Sequence, residues 1–200
     1  EAHAQFIHEV GHSEIAHAPE DMVIFTKPST SVTGPDDPIV YPACSKDMNF
    51  EPEVAVVMGR IAKNVSVENA MDYVLGFTCV NDVTLRDLQG IDPTWTRAKG
   101  FDTSCPLGPW IVMRDDLDWK DAKISFTLNG EDVPMASGTT ANLIHGIPEQ
   151  IAAISSFSTL LPGDVIMTGT PNASGHLDPG DETIVHVEGI GDLRNVIVRA

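Results

Sequence analysis

Short apolar runs separated by polar turns dominate the chain and predict strands more often than helices. Residues 51–59 are rich in valine, which favours strands, and apolar residues from 74 onwards predict a second buried strand. Further strands are predicted for residues 22–25, 124–128, 160–170 and 183–187. The Asn129-Gly130 pair that follows residues 124–128 is typical of a type I′ hairpin turn.

Helical patterns are few and short. Ile147, Ile151 and Ile154 recur at helical spacing, and Pro148 stands where a first helical turn tolerates proline. Ser66 is placed to cap a short helix that ends near residue 73. No βα repeat, internal repeat or linker is visible, so the pattern predicts one β-rich α+β domain.

Two carboxylates in the valine-rich run are candidates for metal binding. Glu51 and Glu53 are two residues apart, so in a strand their side chains project to the same side. Two such anions repel each other, and a hard divalent cation with a preference for oxygen ligands relieves that repulsion. The alternative is an edge strand with two solvated glutamates, which Pro52 favours because proline cannot donate to a ladder.

Two further polar positions join these candidates. Asp82 stands where the apolar run from residue 74 turns polar, and functional carboxylates are common where a buried strand meets its loop. Lys99 precedes Gly100, which allows a tight backbone around a cation that pairs with an anionic substrate. The alternatives are an ordinary turn aspartate and an ordinary surface lysine.

Composition narrows the class of protein. The 200 residues carry 12 basic and 29 acidic side chains, and this net charge of −17 disfavours binding to nucleic acid or to anionic membranes. No apolar run approaches the 18 residues of a membrane span, and no signal peptide is visible. The three cysteines lack metal or disulfide spacing, which is typical of a reducing compartment, so a cytoplasmic location is expected.

A series of motifs from residue 22 to the C-terminus resembles the fumarylacetoacetate hydrolase family. The motifs, in chain order, are FTKP at residues 25–28, EPEVAVVMG at 51–59, GFTCVNDVTLRDLQ at 76–89, WTRAKGFD at 95–102, PLGPW at 106–110, NGE at 129–131 and PGDVIMTGTP at 162–171. The resemblance implies the family's mixed β-sandwich roll in a catalytic domain of residues 22–200. Residues 1–21 would then form an N-terminal lid segment.

The resemblance also implies roles for individual residues. A Mg²⁺ or Mn²⁺ ion would be held by three carboxylates, Glu51, Glu53 and Asp82. Lys99 matches the active-site lysine, which would stabilise developing negative charge. Substrate contacts are expected at Gln89, Gly169 and Thr170. Arg86 and Asp87 are expected to form a structural ion pair.

The lid departs from the family pattern, in which a His–Glu pair at H-x-x-E spacing activates water. His3 with Glu9 is the favoured pair, although Phe6 occupies the expected glutamate position. His17 with Glu20 keeps the H-x-x-E spacing but lies close to FTKP, and His8 is a third candidate histidine. A mobile polar lid with solvated histidines is the alternative.

The resemblance implies a metal-dependent enzyme that cleaves C–C bonds of short 2-keto or 1,3-diketo acids, as an acylpyruvate-type hydrolase or an oxaloacetate-type decarboxylase. The alternatives are a keto–enol or double-bond isomerase of the same family and a catalytically silent ligand-binding protein. The resemblance also implies a homodimer. The sequence leaves the exact substrate open, because pocket loops determine it and fold does not.

Overall fold

Strands make up most of the regular structure in the computed structural model, which describes residues 22–170 and 173–200. Its strands are β1 Val32–Thr33, β2 Pro38–Tyr41, β3 Met48–Phe50, β4 Pro52–Met58, β5 Val74–Asn81, β6 Thr84–Leu85, β7 Cys105–Met113, β8 Lys123–Leu128, β9 Glu131–Asp132, β10 Gly138–Thr139, β11 Val165–Met167, β12 Gly175–Leu177, β13 Glu182–Val187 and β14 Gly191–Arg199. The α-helices are α1 Arg86–Gln89, α2 Thr96–Lys99 and α3 Ile147–Phe157. Short 3-10 helices lie at Ser29–Ser31, Val67–Tyr73, Arg114–Asp116, Pro134–Ala136 and Thr140–Asn142.

The valine-rich run forms β4, an interior strand of a five-stranded sheet with the order β1-β7-β5-β4-β11. Strand β4 pairs antiparallel with β5 on one side and with β11 on the other. Pro52 is tolerated because it is the first residue of β4, where a missing donor does the least harm. The alternative of a solvated edge strand is therefore wrong, since β4 is flanked on both sides and all its residues are buried.

A second, larger sheet has the order β10-β8-β13-β14-β2, and β9 pairs with β8. The predicted hairpin is confirmed: Asn129 and Gly130 have φ angles of 53° and 81° and connect β8 to β9. Strand β14 pairs antiparallel with β13 but parallel with β2, so this sheet is mixed. A small sheet with the order β12-β3-β6 lies close in sequence to the candidate carboxylates, since β3 ends at Phe50.

The main apolar core takes side chains from both larger sheets. Val54 and Phe77 come from the five-stranded sheet, while Phe126 and Leu193 come from the six-stranded one. The rings of Phe50 and Phe126 stack with centroids 4.0 Å apart and contribute to this core. A buried apolar core between antiparallel-rich sheets fixes the strand ends from which the candidate site residues project.

Three predicted elements differ in the structure. Residues 22–25 form no strand, and in residues 160–170 only β11 is a strand. Residues 67–73 form a 3-10 helix, and Ser66 precedes it without a side-chain capping bond. Helix α3 is confirmed, with Pro148 in its first turn.

The described residues form a β-rich α+β fold with mixed sheets, as the sequence predicts. The finer assignment to a sandwich roll stays a prediction, as does the division into residues 1–21 and 22–200. In the described part of the chain, no helix has the length and apolar character needed to cross a bilayer.

Candidate metal centre

Three carboxylates converge at one end of the β4–β5 pair. Glu53 lies in β4, Glu51 directly precedes that strand, and Asp82 directly follows β5. One oxygen from each carboxylate lies within 4.8 Å of the other two, and all three side chains are buried. The Asp82 N–H donates to the Glu51 carbonyl at 2.9 Å, and the Glu51 N–H donates to Asn81 Oδ1 at 2.9 Å. The structure therefore brings together the three residues that the sequence predicted as metal ligands.

Lys99 lies against this cluster. It is the last residue of α2, and its buried Nζ donates to Glu51 Oε2 at 2.6 Å and to Asp82 Oδ2 at 2.7 Å. The Phe25 ring covers the ammonium, with Nζ 4.9 Å from its centroid, in a cation–π contact. The alternative of an ordinary surface lysine is wrong, because only 3 % of Lys99 is exposed.

A second lysine was not predicted as a site residue. Lys27 Nζ forms an ion pair with Asp82 Oδ1 at 2.7 Å and donates to the Ser104 carbonyl at 2.8 Å. It also donates to the carbonyls of Lys99 and Val83. The only sequence signal for this role is its place in the FTKP motif, where the lysine itself received no function.

Arg86 is another cation of the site. Its guanidinium donates to Glu51 Oε1 at 2.6 Å, to Gln89 Oε1 at 2.5 Å and to Ser174 Oγ at 2.6 Å. Gln89, a predicted substrate contact, is therefore buried beside the cluster and connected to it through Arg86.

The predicted ion pair between Arg86 and Asp87 is wrong. The Asp87 carboxylate accepts hydrogen bonds from Ser45 Oγ at 2.6 Å and from the Lys46 N–H at 3.0 Å, while Arg86 pairs with Glu51. Consecutive residues at the start of α1 project in different directions, which is why they serve different partners.

Glu53 also contacts the segment that follows a third strand, β11. The Gly169 N–H donates to Glu53 Oε2 at 2.7 Å, just beyond the end of β11. Gly169 has a φ of +98°, a backbone conformation that side chains disfavour, so glycine suits this turn. The next residue, Thr170, has a buried Oγ1 without a hydrogen-bond partner in the described structure. The predicted substrate-contact residue Gly169 thus contacts Glu53 through its N–H, and Thr170 is the next residue along the chain.

The buried charged groups of the cluster shift one another's pKa values. Burial raises the pKa of Glu53 well above its usual range, and the negative charges of Asp82 and Glu51 raise it further. Burial also acts to raise the pKa of Asp82, but Lys27 and Lys99 outweigh it and the net pKa is lowered. For Lys99, burial acts to lower the pKa, and Asp82 and Glu51 reverse that effect and raise it. Asp82 is thus held as an anion and Lys99 as a cation.

The donor set fits a hard divalent cation. The cluster offers only carboxylate oxygens, and Mg²⁺ and Mn²⁺ prefer oxygen ligands. Burial of three carboxylates within 4.8 Å of one another is unfavourable unless positive charge compensates them, and Lys27, Lys99 and Arg86 supply part of that charge through Glu51 and Asp82. Glu51, Glu53 and Asp82 could therefore hold such an ion.

The predicted lid residues, His3 and Glu9, lie outside the described residues, as do His8, His17 and Glu20. Their roles stay predictions.

The chain is similar to a known protein family over almost its whole length. A family model described as fumarylacetoacetate (FAA) hydrolase C-terminal matches residues 1–198. Protein Rv2993c of Mycobacterium tuberculosis is 45 % identical over 98 % of this chain and 72 % of its own length. A mitochondrial oxaloacetate tautomerase of Rattus norvegicus, Fahd2a, is 40 % identical over 90 % of this chain, which spans 60 % of that protein.

A solved structure is similar as well. The crystal structure of a 5-carboxymethyl-2-hydroxymuconate delta-isomerase from Mycobacterium smegmatis matches with a TM-score of 0.87 and 45 % identity. The match covers 95 % of this chain and 75 % of that one. The family match spans almost the whole chain, and two of the similar proteins, the tautomerase and the isomerase, are named as enzymes. This chain belongs to the fumarylacetoacetate hydrolase family of enzymes.

Proposed function

We propose that this chain is a divalent-metal-dependent isomerase of short 2-keto acids, which moves an enol proton or a neighbouring double bond. The observation that carries the proposal is the buried cluster of Glu51, Glu53 and Asp82, with Lys99 in direct contact with two of its members. The tautomerase and the isomerase among the similar proteins support this reaction class over C–C cleavage as the first choice.

The metal in this proposal is Mg²⁺ or Mn²⁺, with Glu51, Glu53 and Asp82 as its ligands. When bound there, a divalent cation supplies a Lewis acid for the keto and carboxylate oxygens of the substrate. The all-oxygen donor set and its burial support this choice over a softer metal.

The chain's own residues orient the substrate and stabilise its charge. Two of the three N–H donors of Lys99 go to Glu51 and Asp82, and in this proposal the third donates to an enolate oxygen. Arg86 adds a second positive charge beside Gln89, and the Thr170 hydroxyl supplies a buried polar group without a partner in the described structure. Together these groups favour an anionic, oxygen-rich ligand.

Cleavage of a C–C bond is the second candidate, and the family that the chain matches is named after a hydrolase. Hydrolysis requires an activated water, for which His3 with Glu9 is the predicted pair and His17 with Glu20 the alternative. The enolate that follows cleavage and the enolate of tautomerisation need the same stabilisation, so one site serves both reactions. The homodimer and the cytoplasmic location remain predictions from the sequence.

The test measures both reactions on the same preparations with Mg²⁺ or Mn²⁺. Keto–enol exchange of oxaloacetate is followed by the ultraviolet absorbance of the enol, and cleavage of oxaloacetate or an acylpyruvate is followed by the pyruvate released. We expect wild-type protein to accelerate the exchange, and Glu51→Gln to lose that activity and its Mn²⁺ binding while the circular dichroism spectrum is kept. Glu131→Gln, at an exposed position in β9, is the matched control.

The outcomes separate the candidates. Cleavage faster than exchange would make the hydrolase or decarboxylase the correct assignment. Mn²⁺ binding without either reaction would favour a silent ligand-binding protein. Full activity in Glu51→Gln would overturn the site.

A further inference from the structure

Hydrogen bonds connect β4 to the segment that follows β11, and one of them is donated to the Glu53 carboxylate. Both the N–H and the Oγ1 of Thr168 donate to the Val54 carbonyl, at 3.2 and 2.9 Å. The next N–H, that of Gly169, leaves the ladder and donates to Glu53 Oε2 at 2.7 Å. The place of Thr168 beside β4 therefore determines where the Gly169 N–H points.

A glutamine from helix α3 holds the outer side of the same segment. Gln150 is 7 % exposed, and its Nε2 donates to the Thr168 carbonyl at 2.9 Å and to the His145 carbonyl at 3.0 Å. Both partners are carbonyl oxygens, so only the NH₂ end of the amide can satisfy them. Thr168 is thus fixed from two sides, by β4 through Val54 and by α3 through Gln150.

A tether of this kind matters because the following residue is glycine. Gly169 has a φ of +98°, and the absence of a side chain leaves its backbone with more freedom than any other residue type. Its N–H can aim steadily at Glu53 only if a neighbour fixes the peptide that precedes it. The carbonyl of that peptide belongs to Thr168 and is the acceptor of the Gln150 amide.

We propose that Gln150 is a positioning residue for Glu53 and acts through Thr168 and Gly169. In this role the Gln150 amide keeps the Gly169 N–H directed at Glu53 Oε2, which in turn keeps the Glu53 carboxylate directed at Glu51 and Asp82. Groups that orient a metal ligand through hydrogen bonds commonly change metal affinity by 10- to 100-fold when they are removed. The effect on metal affinity rests on the proposed function, whereas the effect on the Gly169 N–H does not.

The test uses two substitutions of Gln150 and a control substitution on the same helix, α3. Gln150→Met keeps the length and volume of the side chain but removes both donors, and Gln150→Glu is the second variant, which also lacks the NH₂ group. Ser155→Ala is the matched control: Ser155 is also buried on α3, but its Oγ accepts from the Val65 N–H and donates to the Ala152 carbonyl. The control removes buried hydrogen bonds of α3 that do not reach Thr168.

Two quantities are measured for each protein: hydrogen exchange of the Gly169 amide by NMR without metal, and the Kd for Mn²⁺ by electron paramagnetic resonance. We expect about tenfold faster exchange at Gly169 and about tenfold weaker Mn²⁺ binding in both Gln150 variants. In Ser155→Ala both quantities should stay within about twofold of wild type, even if its melting temperature falls as far as that of the Gln150 variants.

The outcomes for Gln150 and for the metal site are distinguishable. Unchanged exchange at Gly169 in the Gln150 variants would overturn the positioning role, and so would an equal change in Ser155→Ala. Faster exchange at Gly169 in a protein whose wild-type form binds no Mn²⁺ would support the positioning role and overturn the metal site of the proposed function.

Discussion

Lys27 and Asp82 form a buried ion pair in which Nζ lies 2.7 Å from Oδ1. The lysine precedes all the strands of the described structure, whereas the aspartate follows β5, so the pair connects distant parts of the chain. Lys27 also donates to the Ser104 carbonyl. The Lys27 ammonium thus holds both the candidate metal ligand Asp82 and the loop that follows α2, the helix that carries Lys99.

Replacement of Lys27 by methionine should lower the free energy of unfolding by about 3 kcal/mol, because Asp82 loses one of its two buried cations and three main-chain carbonyls lose a donor. Urea denaturation of the purified variant measures this change. Lys123→Met is the control, since Lys123 forms a longer, exposed pair with Glu188 at 3.5 Å. The control should change the free energy of unfolding by no more than about 0.5 kcal/mol. Equal losses in both variants would contradict the structural role of Lys27.

Replacement of Lys99 by methionine should separate metal binding from turnover. The Lys99 ammonium neutralises Glu51 and Asp82, so its removal makes the cluster more negative and should leave Mn²⁺ affinity equal to or tighter than that of wild type. The turnover number should fall about 100-fold or more, since a donor to the developing enolate is lost. Titration calorimetry with Mn²⁺ and a tautomerase assay measure the two effects. A variant that loses both properties in parallel would place Lys99 in a purely structural role.

The N-terminal histidines can be distinguished by substitution. If His3 is the general base, His3→Ala should lower the turnover number for acylpyruvate hydrolysis by about 10²- to 10⁴-fold. His17→Ala should have little effect on the same reaction. Oxaloacetate decarboxylation should tolerate His3→Ala better, because it needs enolate stabilisation but no water nucleophile. The reverse order of the two variants would transfer the role to His17 with Glu20.

The cysteines should differ sharply in reactivity. Burial raises the pKa of Cys79 to about 12 and that of Cys105 to about 11, whereas Cys44 is exposed. At pH 8 a disulfide reagent such as dithionitrobenzoate should therefore react quickly with one thiol in the folded protein and with all three in urea. A variant with Cys44→Ser should show no fast phase. Two fast thiols in the native protein would contradict the burial of Cys79 or Cys105.

His176 should give the protein a small pH-dependent stabilisation. The hydrogen bond to Asp47 raises the pKa of His176, burial opposes that rise, and Asp178 adds to it. A raised pKa in the folded state means that the stabilisation is complete below the unfolded value of about 6.5 and is lost as the pH rises through the folded value. His176→Gln should therefore lower the melting temperature more at pH 5.5 than at pH 8.5. A difference that does not depend on pH would contradict this pairing, and Asp47→Asn should reproduce the loss at pH 5.5.

The sequence predicted the carboxylate cluster better than its surroundings. The spacing of Glu51 and Glu53 and the position of Asp82 at a strand end are local features, and the family resemblance connected them. The same local pattern could not show that β4 is an interior strand, because its neighbours β5 and β11 come from later parts of the chain. Pro52 therefore suggested an edge that the structure does not have.

The supporting contacts escaped prediction for a related reason. Lys27 and Gln150 donate to main-chain carbonyls, which every residue offers, so no side-chain pattern marks their partners. The predicted strand at residues 22–25 failed because a short apolar run forms a strand only where another strand is available to pair with it. Both kinds of error come from long-range pairing, which periodicity within one segment cannot report.

Three adjacent strands, or residues within two positions of their ends, bear the carboxylate of Glu53, the carboxylate of Asp82 and the N–H of Gly169. The main-chain ladder of β4 and β5, among the most stable parts of such a protein, consequently sets the spacing of the two carboxylates, whereas the Gly169 N–H depends in addition on the contact of Thr168 with Gln150. We expect that exchange of loops elsewhere would change which acid is bound without moving these two carboxylates. For protein engineers, the proposed choice of substrate and the proposed binding of metal would then be separately adjustable.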